Sequence, residues 1–433
     1  MSVLGVINSD QEIQALIASV IEETPDLDYT LKFLAEEAEI LDFLSYDLPE
    51  FVLINFSDPA IPLDRIVSHS INDKWLFNFG VIGLYSQEQT NEEDLLAQYR
   101  AVNLLSLINR YCIRSHLGKN IKIIEENSNL VFQREFTQQF PEGASGSFII
   151  ENDLLAVPLY TGISAVIMTQ RGLINPNSKM RLQLALSELI INAIEHGNCG
   201  ISYEEKTAIM EQGLNMMDLI AGKCQDPAIR ARRVYFQWEI AGGRSIFTIR
   251  DEGNGFNVRE HLKKVAQKDA MSLHGRGIQI ASKLSQELIY NEKGNQVKLI
   301  INHDPLVEHE IPMGFSQETV VLVKKGDIVL QEGEPGDCLY YISSGTYSVY
   351  HNQKQIGSLS SQDIFMGEMA FLLNRKRSAS VYAESEGKLV LLTRKTFVKV
   401  IREYPHYGIF LSKLLAKRLI RSNDLIIEKT KGL

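Results

Sequence analysis

Glu188 and Asn192 stand four residues apart in the run from Met180 to His196, and on a helix that spacing stacks two side chains on one face. The amide oxygen of Asn192 suits Mg²⁺, a hard cation that takes few protein ligands and shares its shell with nucleotide phosphates. Glu188 is then placed to accept a proton from an attacking hydroxyl or water. Further on, Asp251 ends an apolar run and is followed by Gly253 and Gly255. A carboxylate there can accept from the exocyclic amine of adenine, and the two glycines let backbone approach the base and sugar. Gly275, Arg276 and Gly277 open another helical run, where free N–H groups and a guanidinium suit phosphate. Each piece alone also fits a solvated helix face or a plain turn; in this order they form a specific triple.

A second group lies near the C-terminus, in the run from Phe365 to Val381. Gly367 and Glu368 at a turn offer backbone N–H groups and one carboxylate able to accept from a ribose hydroxyl. Arg377, with Ser378 and Ala379 after it, can pair with a singly charged phosphate in a dry cradle.

Elements must hold these residues in place. Residues 1–125 alternate short apolar runs (Val3 to Ile7, Phe51 to Asn55, Phe79 to Leu84) with helical stretches expected at Asp10 to Glu23 and Glu92 to Tyr111, an α/β pattern. Residues 126–146 lose periodicity and gather turn formers, so a linker is expected there. A second domain over 147–303 is expected to combine a strand at Phe148 to Ile150, the helix Met180 to His196, strands at Val234 to Ile240 and Ser245 to Arg250, a helix at Ile278 to Leu284 and a strand pair from Leu288 to Ile301. The segment Ile201 to Arg233 is longer than such a domain needs and is expected to be added helix. Residues 304–433 change to short strands parted by glycine turns, then helices from Arg394 to Lys429, the pattern of a small β-barrel with a helical tail. The fold class expected is thus a multidomain chain of α/β and α+β units.

The 433 residues exceed one ordinary core, and at about 150 residues per domain they suggest three. With 44 Lys+Arg against 54 Asp+Glu, the net charge of −10 gives no overall attraction to nucleic acid or anionic lipid. Four scattered cysteines show no zinc or disulfide spacing and fit a reducing cytoplasm; nine histidines do not cluster as metal ligands. The first residues lack a basic n-region and reach Asp10 early, so no signal peptide is expected, and no apolar run in this sequence reaches membrane-spanning length.

The triple Glu188-Leu189-Ile190-Ile191-Asn192-Ala193-Ile194-Glu195-His196-Gly197-Asn198, Asp251-Glu252-Gly253-Asn254-Gly255-Phe256 and Gly275-Arg276-Gly277-Ile278 resembles the ATP-binding fold shared by histidine kinases, gyrase-type ATPases and anti-sigma-factor serine kinases. Together with Tyr290 to Val297 it is most similar to the anti-sigma-factor branch. The resemblance implies an α/β sandwich binding Mg·ATP, with Asn192 on the metal, Asp251 on adenine, Gly253, Gly255, Gly275, Arg276 and Gly277 around the nucleotide, and Glu188 as base. Histidine kinases of that superfamily usually carry Asn where Glu188 stands, and no histidine here lies in a phosphoacceptor context; autophosphorylation on histidine is therefore set aside.

Residues 315–425 resemble a cyclic-nucleotide-binding domain of jelly-roll type, through the string Phe365 to Val381. That resemblance implies Glu368 on the ribose, Arg377 on the cyclic phosphate, and Gly367, Met369, Ala370, Ser378 and Ala379 as backbone or hydroxyl contacts, with cAMP the default ligand and cGMP left open. Residues 1–125 resemble a response-regulator receiver in which the acceptor position holds Asn55, which forms no acyl phosphate. A pseudo-receiver used for docking and a plain α/β domain both fit.

These resemblances imply a cytoplasmic signalling protein: a serine/threonine kinase of the anti-sigma type regulated by cyclic nucleotide, acting on a protein partner like a sigma factor or an anti-sigma antagonist, and a homodimer as is common in both families. The alternative is a nucleotide-gated switch that captures a partner without phosphoryl transfer. A direct nucleic-acid role is disfavoured by the charge and by the lack of a reading helix.

Overall fold

The computed structural model describes residues 2–72, 79–99, 102–128, 144–170, 173–211, 215–258, 287–303, 311–413 and 415–416. The first unit runs β1 (Ser2–Ile7), α1 (Gln11–Glu23), β2 (Tyr29–Leu34), α2 (Glu37–Asp42), β3 (Phe51–Asn55), α3 (Leu63–Asn72), β4 (Gly80–Tyr85), α4 (Glu92–Gln98), β5 (Leu104–Asn109) and α5 (Ile113–Glu126). Its five strands are parallel in the order β2-β1-β3-β4-β5, a doubly wound arrangement in which helices cover both faces. Burial on both sides explains why β3 and β4 read as unbroken apolar runs. Asp10 caps α1 by accepting from the Glu12 and Ile13 amides.

The helix expected over Glu92 to Tyr111 is corrected: α4 ends at Gln98, and Leu104–Asn109 is the strand β5. The run Leu-Leu-Ser-Leu-Ile is buried on both faces of the sheet, and in sequence such a run cannot be told from a buried helix. The strand β2 was not expected; its alternating, half-exposed pattern marks an edge strand.

The second unit starts earlier than expected. Its strand β6 (Ala144–Ile150) enters the stretch taken as linker, and α5 runs to Glu126 on the other side. There follow α6 (Val157–Gln170), α7 (Pro176–Asn192), α8 (Tyr203–Glu211), α9 (Met216–Lys223), α10 (Pro227–Arg230), β7 (Val234–Ala241), β8 (Arg244–Arg250), β9 (Glu287–Tyr290) and β10 (Gln296–Asn302). The strands form an antiparallel sheet in the order β6-β7-β8-β10-β9. In β7, Val234, Phe236, Trp238 and Ile240 alternate inward onto the α6–α7 layer. α7 passes into a π-helical segment, Ala193–Asn198. The segment after it is helical, as α8, α9 and α10. The expected helix Ile278 to Leu284 lies outside the described residues.

The third unit contains β11 (Thr319–Val323), β12 (Ile328–Leu330), β13 (Cys338–Ser344), β14 (Thr346–His351), β15 (Lys354–Ser360), β16 (Phe365–Met366), α11 (Glu368–Leu373), β17 (Ser380–Ala383), β18 (Gly387–Thr393) and α12 (Arg394–Glu403). Two four-stranded sheets, β11-β18-β13-β16 and β12-β17-β14-β15, form the β-sandwich. Helical turns resume over 405–413.

The first sheet joins the other two units. Leu4, Val6, Leu53, Ile82 and Leu105 on one face share a core with Phe148, Ile163, Leu186 and Phe236 of the second unit. Ile7, Val52, Ile54, Val81 and Leu107 on the other face belong to a core that includes Phe315, Tyr341, Phe371 and Tyr407 of the third. α6 lies so close to β5 that a Cβ on Gly162 would fall 2.2 Å from the Leu105 carbonyl oxygen.

Candidate functional site

In the second unit, α7 carries both Glu188 and Asn192. Glu188 is exposed at the helix surface, yet nearby protein desolvates its carboxyl and raises it above the usual carboxylate range, with Lys206 opposing and Glu195 adding to the shift. Asn192 is half-buried, and its side chain caps nothing in the π-helical segment it begins. A neutral, half-buried amide oxygen not tied into a helix cap fits Mg²⁺. No cluster of three or more His, Cys, Asp or Glu suited to a metal occurs among the described residues.

Asp251 follows β8 and is 8% exposed. Desolvation raises its carboxyl, while the Gly253 amide, donating to Oδ1 at 2.8 Å, opposes the shift. A Cβ on Gly197 would lie 2.4 Å from Asp251 Cγ, so the carboxylate sits directly on the π-helical turn that extends α7. The adenine-reading candidate and the Glu188–Asn192 helix therefore meet at Gly197.

The glycines after Asp251 are required first by the chain's own backbone. A Cβ on Gly253 would fall 2.1 Å from the Gly197 oxygen, and one on Gly255 (φ +74°) 1.9 Å from the Lys293 oxygen. They let the chain's own backbones close together, which builds the site's wall before any ligand is considered. Gly275, Arg276 and Gly277 lie outside the described residues.

Several residues that the sequence did not single out hold this geometry. Asn198 donates to Asn152 Oδ1 at 2.8 Å and accepts from the Glu252 amide at 2.9 Å, while Arg232 donates to the Asn198 carbonyl at 2.6 Å. Glu195 is 2% exposed and ion-paired with Lys206 on α8 at 2.5 Å. Glu252 accepts from the Arg233 amide at 2.8 Å. The α8–α10 segment is thus fastened to both boxes. Asn198 was inside the Glu188 to Asn198 string; only its distance from Glu252 along the chain hid its role. Asn295, next to the β9–β10 turn, exchanges two hydrogen bonds with the Asp251 backbone, each 3.0 Å.

In the third unit, Gly367 takes φ +82° and caps α11 between β16 and Glu368. A Cβ there would meet Arg377 Nη1 at 2.5 Å, so the position requires glycine both for its backbone and for its space. Glu368 is 8% and Arg377 5% exposed. The Arg377 guanidinium donates to the Gly367 carbonyl at 2.7 Å and to the Cys338 carbonyl at 2.5 Å. Its backbone is gripped by the loop Glu332 to Asp337: the Gly333 amide donates to the Arg377 carbonyl at 2.9 Å, and the Arg377 amide to the Glu334 carbonyl at 2.8 Å. Two of five guanidinium N–H directions reach backbone carbonyls, which aims the fork and leaves others for an anion. Ala370 is buried in the same turn, Ala379 is half-buried and Ser378 is exposed. Met369 is 61% exposed.

Comparison with known proteins agrees with both arrangements. Residues 156–301 match the histidine kinase-like ATPase domain, and residues 320–404 the cyclic nucleotide-binding domain. The chain contains these two domains in that order. The chain is 40% identical over 79 residues to the cAMP-dependent protein kinase type II regulatory subunit of Drosophila melanogaster, covering 18% of this chain and 21% of that one. It is 34% identical over 130 residues to the cGMP-dependent protein kinase of Toxoplasma gondii, covering 28% of this chain and 13% of that one. The chain therefore spans only 21% and 13% of these relatives. Among solved structures, the Thermus thermophilus catabolite activator protein is similar at 27% identity and a TM-score of 0.25, over 28% of this chain and 57% of that one. The ATPase domain holds the Glu188–Asn192 helix and Asp251; the cyclic nucleotide-binding domain holds Glu368 and Arg377. The α/β unit ahead of them ends β3 at Asn55, whose amide donates to Asn8 Oδ1 at 2.7 Å. Asp58, 6% exposed, accepts from the Ser9 amide and hydroxyl and the Ala60 amide at 2.6, 2.9 and 3.0 Å.

Proposed function

We propose that the chain is an ATP-dependent serine/threonine protein kinase of the anti-sigma type whose activity is set by a cyclic nucleotide at the C-terminal domain. The observation that carries the reading is Glu188: a carboxylate with raised proton affinity, reachable from solvent, four residues before a half-buried Asn192 on one helix. Such a group can take the proton of an incoming serine or threonine hydroxyl as that oxygen attacks the γ-phosphate. Asn192 would hold Mg²⁺, which when bound neutralises charge on the phosphates. Asp251, fixed by the Gly253 amide, accepts from the adenine amine, and Gly253 and Gly255 shape the wall beside it. Gly275, Arg276 and Gly277 are assigned to the phosphates by resemblance.

In the C-terminal domain, Arg377 pairs with the cyclic phosphate and Glu368 with the ribose, with Gly367, Met369, Ala370, Ser378 and Ala379 lining them through backbone or hydroxyl groups. cAMP is the ligand proposed, with cGMP the competitor to test. The N-terminal unit acts as a pseudo-receiver: Asn55 replaces the acceptor, and the three donors on Asp58 commit that carboxylate to joining two loops. The chain is proposed to work in the cytoplasm as a homodimer, on a protein partner like a sigma factor or an anti-sigma antagonist. The domain limits proposed are 1–125, 147–303 and 304–433, with β6 extending the second back to Ala144.

The test is transfer of labelled γ-phosphate from ATP to partner proteins recovered on the immobilised chain, with and without cAMP or cGMP. The kinase reading expects serine or threonine labelling that depends on Glu188 and changes with cyclic nucleotide. ATP binding with partner capture and no labelled product would instead establish a non-catalytic switch.

A further inference from the structure

A cleft of about 590 Å³ opens at the seam between the first unit and the ATPase domain. That is the size of a small-molecule pocket, and domain seams are where such pockets tend to form. Helix α5 lines it with Lys119 and Lys122, the end of β6 with Ile149 and the following Glu151, α6 with Tyr160, and the chain ahead of β7 with Arg233. Lys119 is committed to acids, meeting Glu151 at 3.0 Å and Asp153 at 3.4 Å. Lys122 and Arg233 are held less firmly. Lys122 has Asp26 at 3.6 Å, but that acid is 92% exposed and such a pair contributes little. Arg233 Nη1 donates to the Arg230 and Arg232 carbonyls at 2.9 and 3.0 Å, which fixes the guanidinium plane, while Nη2 is 3.8 Å from Glu151.

Tyr160 gives an independent sign of a ligand. It is 7% exposed, its ring packs on Phe148 with centroids 5.3 Å apart, and among the described residues its hydroxyl makes no hydrogen bond. Burial holds the phenol above its usual range, so it stays a neutral donor. A buried tyrosine hydroxyl normally finds a partner, and the space that this residue borders is the cleft.

We propose that the cleft binds a small organic monocarboxylate with an apolar body. Lys122 and the open edge of the Arg233 guanidinium offer donors to the carboxylate, and the Tyr160 hydroxyl offers another. Ile149, 62% exposed, and the aliphatic stems of the lysines offer a surface to the apolar body. Charge selects the head group. Among the lining side chains, Lys119, Lys122 and Arg233 face the carboxylates of Glu126 and Glu151, which leaves a single positive charge. One carboxylate neutralises it, whereas the second charge of a phosphate monoester would meet Glu126 and Glu151 unpaired. The cleft also reaches the nucleotide wall: the Arg233 amide donates to Glu252 at 2.8 Å, next to Asp251. A ligand held by the Arg233 side chain should therefore alter affinity for ATP, a consequence that rests on the ATP-site reading given above.

The experiment titrates the full chain with 2-naphthoate by ligand-observed NMR, beside naphthyl phosphate and the neutral naphthalenemethanol. A Kd on the order of 1 mM is expected for a ligand of this size. The phosphate and the alcohol should bind at least about fivefold more weakly. Lys122→Glu should weaken naphthoate binding about tenfold and Tyr160→Phe about fivefold. Both changes leave the backbone and its hydrogen bonds untouched. No saturation below about 10 mM, unchanged affinity in either variant, the phosphate or the alcohol bound as well as naphthoate, or complete displacement by cAMP or an ATP analogue would each overturn the site. An ATP-analogue affinity unmoved by naphthoate would overturn the coupling. A chain that binds naphthoate but no ATP analogue would overturn the ATP-site reading and leave the cleft supported.

Discussion

Replacing Gly197 by alanine tests the geometry of the ATP site at its tightest point. The new Cβ would lie 2.4 Å from Asp251 Cγ and 2.6 Å from its Oδ1, well inside contact distance. Asp251 cannot turn aside freely, since its Oδ1 accepts from Gly253 and its backbone is paired with Asn295. Gly253 is blocked in turn by the Gly197 carbonyl. Overpacking of this kind costs about 1–3 kcal/mol, roughly a 5- to 150-fold loss of affinity where it displaces a ligand-reading group. The same substitution favours helical backbone by about 1 kcal/mol, so the fold itself should lose no more than about 2 kcal/mol. The assay titrates a fluorescent ATP analogue and cAMP into Gly197→Ala and wild type. ATP binding should weaken at least about fivefold, with cAMP binding nearly unchanged and stability lowered by no more than about 2 kcal/mol. ATP affinity within about twofold of wild type would refute the argument that Asp251 must stay against this turn to read the base.

Lys179, 6% exposed, donates to the Val102 carbonyl at 3.0 Å, and burial lowers its pKa from 10.5 to about 8. Folding thus disfavours the ammonium: the penalty is complete below pH 8 and fades as pH rises towards 10.5, so wild type should gain on the order of 3 kcal/mol relative to Lys179→Met across that window, read as the pH dependence of the difference in denaturation midpoints. Glu188→Gln should keep ATP affinity while phosphotransfer falls about 100-fold or more, measured with labelled ATP and the captured partner. Arg377→Lys should lower cyclic-nucleotide affinity about tenfold or more by calorimetry, because a point charge cannot satisfy the Gly367 and Cys338 carbonyls and a phosphate together.

What the sequence revealed depended on how locally each feature was encoded. Glu188 and Asn192 share one helix, as their spacing predicts, and Gly367 and Arg377, joined in sequence by one string that resembles a known cassette, meet across adjoining turns. Asn198, Arg232 and Asn152 come from three separate segments and meet only in the fold; no spacing rule links them. β5 was hidden because Leu104 to Ile108 is buried on both faces, which removes the alternation that marks a strand. α6 was hidden for the same reason, being apolar nearly all round and enclosed between β5 and α7. Gly253 and Gly255 signal close approach in sequence without naming the partner, and only the fold shows that the Gly197 and Lys293 carbonyls are among the groups approached.

The positions of the two nucleotide domains bear on how one could govern the other. Residues Asn302 to Gly314 join them along the chain, but packing offers a second route. The faces of the first sheet share cores with the ATPase domain on one side and the cyclic nucleotide-binding domain on the other. Tyr46 meets His406 edge to face at 6.4 Å, and Lys413 donates to the Leu48 carbonyl, so the C-terminal helices hold the end of the Phe43–Asp47 turn. On the opposite side, Val102 and Leu105 touch Lys179 and Gly162 of the helix pair that leads to Glu188. A rigid sheet packed on both faces transmits a shift that a flexible joint would absorb. If cyclic nucleotide acts through it, Tyr46→Ala should reduce the effect of cAMP on ATP affinity while leaving each ligand's own affinity unchanged. An undiminished effect in that variant would assign the coupling to the connecting chain instead.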